Sequence, residues 1–267
     1  MLLDFIVCKS HRNVRLNIFT YGLNSATKCL RSPLIVCCGL IWFQELAFAS
    51  PSIHLPDHLV RVACVGDSIT FGAHLRDPNQ ESYPAVLGQM LGPGFEVRNF
   101  GVGGATLLKQ GDKPYFKQSA YTNALASKPD IVVILLGTND SKHPGDGSLD
   151  ADKVVDNWQY QTDFLSDYEN LIRQFRNANP KARIFAGLPT PCFPGSWGIN
   201  DGTIRKEIIP LIRNVAAETK VEIIDFNSAL AGKKDLFPDT VHPNAAGAKL
   251  IATTVYHTFL NDGLTHQ

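Results

Sequence analysis

The chain has 267 residues, of which 44% are hydrophobic and 19% charged, and its 25 basic and 25 acidic residues leave no formal net charge. This composition is typical of a globular protein and excludes a disordered, fibrous or multi-spanning chain. Because no run of Lys and Arg follows the body of the chain, it lacks the electrostatic footprint of nucleic-acid binding, and we predict no such partner.

The beginning of the chain has the pattern of a secretory leader. Two basic residues precede an apolar run over 33–43, and Ala47-Phe48-Ala49 supplies the small residues that a signal peptidase needs before Ser50. The run is short for a permanent transmembrane helix. We therefore predict a signal peptide over 1–49, cleavage after Ala49 and a secreted or periplasmic protein with no stable membrane partner. An uncleaved anchor and a buried helix are the alternatives.

The remainder is predicted to form one domain over 58–262. Five short apolar runs in it are rich in β-formers: Leu59–Val65, Phe95–Asn99, Ile131–Leu136, Arg183–Ala186 and Val221–Ile224. The third run does not alternate apolar with polar residues, which indicates a strand buried on both faces. Strands of this kind occur in parallel sheets that are covered by helices.

Helical patterns separate these runs. Apolar residues form one stripe over Phe164–Phe175, and Pro243 opens a final helix whose stripe is Leu250, Ile251, Val255 and Phe259. A helix over Ile204–Ala217 contains Pro210, which we expect to remove a hydrogen bond and kink it. The alternation predicts an α/β fold, a three-layer doubly wound parallel sheet, with ligand sites beyond the carboxyl ends of the strands.

The segment Gly66–Thr70 directly follows the first predicted strand. A serine at this place, Ser68, can present its hydroxyl at the sheet edge while its backbone N–H faces the same pocket. The alternative is a serine that only caps a helix. Because Thr70 stands where a glycine would be needed, the segment is not the Gly-x-Ser-x-Gly elbow of other α/β hydrolases.

Two further loops can supply donors to an oxyanion. Glycines in Asn99–Thr106 allow a backbone N–H to approach a ligand closely, and their spacing differs from a dinucleotide fingerprint, which argues against nucleotide binding. In Gly137–Asp140 the side-chain amide of Asn139 can donate to a developing negative charge. The alternative for that tetrapeptide is a turn stabilised by Asn and Asp.

A fourth loop, Asp239–Asn244, precedes the final helix. With Asp239 and His242 three residues apart, the carboxylate can orient one imidazole nitrogen while the other faces a serine. An exposed Asp and His with no such role is the alternative. Together, the four loops supply a nucleophile, a base, an orienting acid and oxyanion donors at one sheet edge.

These four segments, in this order, resemble the blocks of the SGNH or GDSL-like hydrolases. The resemblance covers residues 62–244 and implies a five-stranded, flavodoxin-like SGNH hydrolase fold. It further implies a carboxylic ester hydrolase with Ser68 as nucleophile, His242 as base and Asp239 as its partner. The oxyanion donors it implies are the N–H groups of Ser68 and Gly104 and the side chain of Asn139, with no metal ion or cofactor.

A looser resemblance links Glu81–Pro84 and Pro189–Asp201 to exported sialate or carbohydrate O-acetylesterases. It implies a short-chain acyl ester, an acetyl ester above all, on a small molecule or oligosaccharide. Two alternatives stay open. One is a lipid-directed esterase, either a lysophospholipase or a thioesterase, and the other is a catalytically idle carbohydrate-binding relative.

Three residues are candidate substrate contacts: Asp67, Trp197 and His143. Trp197 and Phe193 either stack on a sugar ring or pack their own loop. His74 also lies near the serine in sequence, and we interpret it as a surface residue. Four of the six cysteines lie in the leader, so too few remain for a disulfide framework or a zinc–cysteine cluster.

Overall fold

The computed structural model describes residues 59–144, 155–194 and 197–265, and the predicted leader lies outside them. In these ranges five parallel strands form one sheet in the order β2-β1-β3-β4-β5. They are β1 Val60–Gly66, β2 Phe95–Gly101, β3 Ile131–Leu135, β4 Arg183–Leu188 and β5 Glu222–Asp225. This order is that of the flavodoxin-like doubly wound sheet, so the predicted fold class is confirmed.

Helices connect the strands. In the described ranges the α-helices are α1 Ser68–Phe71, α2 Pro78–Glu81, α3 Tyr83–Leu91, α4 Ser119–Ala126, α5 Phe164–Ala178, α6 Asp201–Thr203, α7 Ile209–Thr219, α8 Phe226–Leu230 and α9 Ala245–Asn261. Short 3-10 turns occur at Tyr115–Lys117, Asn139–Ser141, Trp158–Asp163 and Lys234–Leu236. No helix in the described part of the chain has the length and apolar character needed to cross a membrane.

The central strand β3 shows why the sheet is covered on both sides. Every residue of β3 is buried. Because side chains alternate across a strand, Val132 and Ile134 join one hydrophobic cluster while Val133 and Leu135 join another. The first cluster includes residues of α4, α5 and α7, and the second includes residues of α3, α8 and α9. The three predicted layers are therefore helices, sheet and helices.

The two long helices, α5 and α9, bury their apolar residues against the sheet. Helix α5 buries Phe164, Tyr168, Leu171, Ile172 and Phe175, which belong to the predicted stripe. Helix α9 begins at Ala245, two residues after Pro243, because Asn244 is the N-cap and its Oδ1 accepts the N–H of Gly247 at 3.0 Å. Pro243 therefore precedes the helix rather than occupying its first turn.

The predicted helix over 204–217 is built from two parts. A π-helical turn, Ile204–Ile208, leads into α7, and Pro210 lies in the first turn of α7. Proline is tolerated in a first turn because it has no N–H to leave unpaired there. The sequence predicted a kink at Pro210. The structure instead has a π-helical turn directly before the helix that contains this proline.

Close backbone packing brings α1 onto the strand ends. A Cβ added to Gly101 would lie 2.1 Å from the backbone nitrogen of Phe71, so only glycine fits there. From the same strand, the Asn99 side chain donates to the carbonyl oxygen of Thr70 at 2.9 Å. The segment that carries Ser68 is therefore fixed to the carboxyl end of β2 as well as to β1.

This packing predicts opposite effects of two Gly→Ala substitutions. Gly101→Ala should lower the free energy of unfolding by about 1–3 kcal/mol, because the backbone around Phe71 must move. Gly88→Ala, inside α3, adds a Cβ whose nearest contact is at 3.5 Å, and should stabilise the protein by up to ~1 kcal/mol through helix propensity. Urea unfolding followed by circular dichroism measures both, and equal midpoints would contradict the assignment of tight packing to Gly101.

Candidate active site

Ser68 is the first residue of α1, directly after β1, and only 8% of it is exposed. The N-cap of this helix is Asp67, whose Oδ1 accepts the N–H of Ile69 at 2.9 Å. Capping is thus carried out by Asp67, and the alternative that Ser68 serves as the cap does not hold. The Ser68 hydroxyl is instead directed to another partner, His242.

One hydrogen-bonded chain joins the serine, the histidine and an aspartate. His242 Nε2 lies 2.8 Å from Ser68 Oγ, and His242 Nδ1 lies 2.7 Å from Asp239 Oδ2. An ionised carboxylate can only accept hydrogen bonds, so Nδ1 carries the proton and Nε2 accepts from the serine hydroxyl. The structure therefore brings together the three residues that the sequence placed in two distant loops.

The loop 239–242 is held by the same carboxylate. Asp239 Oδ1 accepts the backbone N–H of His242 at 2.7 Å and that of Val241 at 3.1 Å. Between them Thr240 has a φ of 73°, an uncommon conformation for a β-branched residue. Its backbone is held by hydrogen bonds with Phe193 and Phe237, which offset this strain.

These contacts determine the charge state of Asp239. Burial alone would raise the pKa of its carboxyl, but hydrogen bonds from the His242 backbone, the His242 imidazole and the Val241 backbone outweigh burial and lower the pKa. Asp239 is therefore ionised at neutral pH. An ionised carboxylate at Nδ1 stabilises a positive charge on the imidazole if Nε2 takes up a proton.

The predicted oxyanion donors lie in two neighbouring loops. Gly104 has a φ of 76° in a turn closed by the Ala105 N–H on the Val102 carbonyl oxygen. The side-chain nitrogen of Asn139 donates to the carbonyl oxygen of Ala105 at 3.1 Å. That bond uses one amide hydrogen and orients the other. In the described part of the chain, the Gly104 N–H donates to no protein acceptor.

Two buried polar residues hold these loops, and sequence reasoning did not assign them this role. Asp140 accepts the N–H groups of Leu107 and Leu108 at 3.0 and 2.8 Å. Burial raises the pKa of Asp140 to about 6, although both hydrogen bonds oppose the rise. Asn157 donates to the carbonyl oxygen of Asn139 at 2.9 Å. Asp140 stood within a predicted loop, but nothing in the sequence singled out Asn157.

Two aromatic residues of the loop after β4 differ in their exposure to solvent. Trp197 is 56% exposed, and its ring lies edge-on to the His242 ring with centroids 6.3 Å apart. Phe193 packs instead on Phe237, with centroids 5.3 Å apart. Of the two predicted stacking residues, only Trp197 therefore presents its ring to solvent beside His242.

The other two candidate substrate contacts are Asp67, which is buried, and His143, which is partly buried. Asp67 has no exposed surface, and a substrate cannot reach a carboxylate that is buried beneath Ser68. We therefore replace its predicted substrate contact with a helix-capping role. His143 is partly buried, and its Nδ1 lies 3.0 Å from the carbonyl oxygen of Pro144. Within the described residues His143 forms no hydrogen bond with Ser68, Asn139 or His242.

Comparisons with known proteins identify the family of this chain. A model of the GDSL-like Lipase/Acylhydrolase family matches residues 64–250. A curated acetylxylan esterase of Xylanibacter ruminicola is 38% identical over 233 residues, which are 79% of this chain and 46% of that protein. The chain thus spans about half the length of this curated relative.

Solved structures share the fold. An aryl esterase of M. smegmatis superimposes with a TM-score of 0.58 at 21% identity, covering 76% of this chain and 99% of its own. An acetyl xylan esterase superimposes with a TM-score of 0.58 at 19% identity, covering 74% and 99%. At these identities the solved structures show a shared fold. Because the family model matches more than half of the chain, the chain belongs to the GDSL-like lipase and acylhydrolase family, which confirms the predicted resemblance.

Burial of Asp67 predicts a pH-dependent contribution to stability. Burial raises the pKa of the folded Asp67 carboxyl to about 7, while an unfolded Asp titrates near ~3.9. As pH rises between these values, the unfolded chain releases the proton first, so stability falls. Asp67→Asn keeps a capping side chain and should raise the free energy of unfolding at pH 8 by about 2–4 kcal/mol.

This gain should shrink toward pH 4.5, as measured by urea unfolding at both pH values. Asp77→Asn is the matched control, because Asp77 caps α2 in the same way but is exposed to solvent. A gain at Asp67→Asn that is the same at pH 4.5 and 8 would show that the buried carboxyl does not titrate as expected.

Proposed function

We propose that this protein is a serine esterase that removes short acyl groups, acetyl above all, from carbohydrates. Ser68 is the nucleophile, His242 the general base and Asp239 its orienting partner. The observation that carries this proposal is the pair of short hydrogen bonds, 2.8 Å from His242 Nε2 to Ser68 Oγ and 2.7 Å from Nδ1 to Asp239. Nucleophile and base within hydrogen-bond reach, with the base held by a third group, are the signature of covalent acyl transfer.

Acylation begins when His242 Nε2 takes the hydroxyl proton of Ser68 and Oγ bonds to the ester carbonyl carbon. The carbonyl oxygen becomes negative and accepts hydrogen bonds from the N–H groups of Ser68 and Gly104 and from the Asn139 amide. One such donor contributes roughly 3–4 kcal/mol to transition-state stabilisation. His242 then passes its proton to the leaving alcohol oxygen, and the carbon–oxygen bond to the alcohol breaks.

Deacylation repeats these steps with water. His242 removes a proton from a water molecule whose oxygen attacks the acyl carbon, and Ser68 leaves with that proton returned to its Oγ. Asp239 remains ionised throughout and stabilises the imidazolium form. Every proton transfer is assigned to a side chain of this chain, so the mechanism needs no metal ion or cofactor.

Two observations favour an acetylated carbohydrate. The curated relative that shares 38% identity is named an acetylxylan esterase. An exposed indole ring, that of Trp197, stands beside His242, where it can stack on the apolar face of a sugar. The predicted leader would export the enzyme to polysaccharides outside the cell. We therefore infer small-molecule or oligosaccharide acetyl esters as substrates.

The first test is hydrolysis of p-nitrophenyl acetate, butyrate and octanoate by residues 50–267. We expect acetate to react fastest and the rate to fall with chain length, because the substrates proposed here carry a short acyl group. Ser68→Ala should lower kcat by at least about 10⁴-fold. Ser119→Ala, which removes an exposed hydroxyl in α4, is the matched control and should leave kcat unchanged.

Each other outcome would favour a different function or mechanism. A preference for octanoate would favour a lipid-directed esterase, and no hydrolysis of any ester by a folded protein would favour a binding relative. Turnover by folded Ser68→Ala would remove the serine from the mechanism.

Removal of the Trp197 ring should weaken the binding of carbohydrate substrates selectively. Trp197→Ala should raise KM for acetylated xylo-oligosaccharides about three- to tenfold, the loss expected for one stacking contact. KM for p-nitrophenyl acetate, which has no sugar ring, should change less. Leu59→Ala is the control, because Leu59 is similarly exposed at 48% but precedes the amino end of β1. Equal changes in KM for both substrates would argue against sugar stacking.

A further inference from the structure

A second histidine lies against the Ser68–His242–Asp239 chain. The ring of His74 is centred 4.7 Å from that of His242, and His74 Nε2 lies 3.7 Å from Asp239 Oδ2. The side chain of His74 is 59% exposed, so solvent reaches this cluster directly. The ester hydrolysis proposed above gives His74 no task.

The backbone fixes His74 in this place. Helix α1 ends at Gly72, whose φ is 89°, and the N–H groups of Gly72 and Ala73 both bond to the carbonyl oxygen of Ser68. His74 follows with a φ of 64°. The turn that ends the nucleophile helix therefore directs His74 back toward Asp239.

The three side chains form a ligand set for a metal ion. One nitrogen from each histidine and one carboxylate oxygen of Asp239 all lie within 4.8 Å of one another. A tetrahedral zinc ion with bonds of about 2.0–2.1 Å holds its ligand atoms roughly 3.3 Å apart. The separations of 2.7 Å between His242 and Asp239 and 3.7 Å between His74 and Asp239 bracket that value. Small side-chain rotations would therefore complete three ligands.

We propose that His74, Asp239 and His242 bind Zn²⁺ or a similar transition-metal ion from solvent, and that the bound ion inhibits the enzyme. The inhibition rests on the proposed function, whereas the metal site does not. Two imidazoles favour zinc-like ions over Mg²⁺ and Ca²⁺, which prefer oxygen ligands. A fourth position, facing solvent, would be taken by water.

Inhibition follows from the number of lone pairs on an imidazole. A neutral imidazole has one nitrogen that carries hydrogen and one that accepts. If His242 Nδ1 binds the ion, Nδ1 gives its proton to solvent and Nε2 takes one from solvent, so the neutral ring now carries its single N–H hydrogen on Nε2. That nitrogen can then donate to Ser68 but cannot take its proton, so acylation cannot begin.

The inhibition test measures p-nitrophenyl acetate hydrolysis against Zn²⁺ concentration, with each variant normalised to its own rate in EDTA. The wild type should be inhibited by Zn²⁺, restored by EDTA and unaffected by Mg²⁺ or Ca²⁺ at the same concentration. His74→Gln should raise the half-inhibiting Zn²⁺ concentration at least about tenfold, since even outer-shell changes weaken metal sites by that amount. His257→Gln removes an exposed histidine of α9 and should match the wild type. Equal inhibition of His74→Gln and wild type would overturn the proposal.

A binding test that needs no turnover separates the two proposals. Co²⁺ is added to the folded Ser68→Ala protein, and visible absorption bands of tetrahedral Co²⁺ should appear and be displaced by Zn²⁺. The same bands should be lost in Ser68→Ala combined with His74→Gln, and kept with His257→Gln. Bands without any ester hydrolysis by the wild type would support the metal site and contradict the esterase. Hydrolysis without bands would support the esterase and overturn the metal site.

Discussion

The candidate site depends on one packing constraint, the direct contact between the segment that carries Ser68 and the backbone of the sheet. A Cβ on Gly66 would lie 2.1 Å from Thr70 Oγ1, and one on Gly101 would lie 2.1 Å from the Phe71 nitrogen. Helix α1 therefore lies directly on the ends of β1 and β2, with the short Thr70 side chain on the Gly66 backbone and the Phe71 backbone on that of Gly101. These close contacts fix the position of Ser68. His242 can then meet a fixed hydroxyl across a separation of 174 residues.

Three aspartates lie in the loops around this serine, and their environments shift their pKa values in different directions. Asp67 and Asp140 are completely buried, and burial raises the pKa of each carboxyl. Asp67 Oδ1 accepts a backbone N–H at the start of α1, and the two oxygens of Asp140 accept the N–H groups of Leu107 and Leu108. Asp239 is partly exposed and accepts three hydrogen bonds, two from backbone and one from an imidazole, so its pKa falls. The carboxyl whose pKa is lowered is thus the one beside the imidazole, and the two buried carboxyls hold a helix start and a loop.

Much of this arrangement could be predicted because it depends on strand ends. The uninterrupted apolar run of β3 predicted a doubly covered parallel sheet, and in such a sheet the loops after the strands share one edge. Side-chain direction within those loops could not be predicted. Phe193 and Trp197 are close in sequence, yet one packs inward and the other has a left-handed backbone and faces solvent. His74 likewise reaches Asp239 through a positive φ that no composition signal indicates.

An imidazole and a carboxylate that can transfer protons can also bind a metal ion, but tight metal binding needs a third ligand. A neutral imidazole beside an ionised carboxylate offers two lone-pair donors, but two ligands bind a zinc-like ion weakly in water. Serine hydrolases can therefore keep this pair near solvent without trapping metal. An imidazole from His74, fixed by the end of α1, adds a third donor on the exposed side of the pair. The turn that ends α1 thus supplies the third donor that the proposed metal site needs.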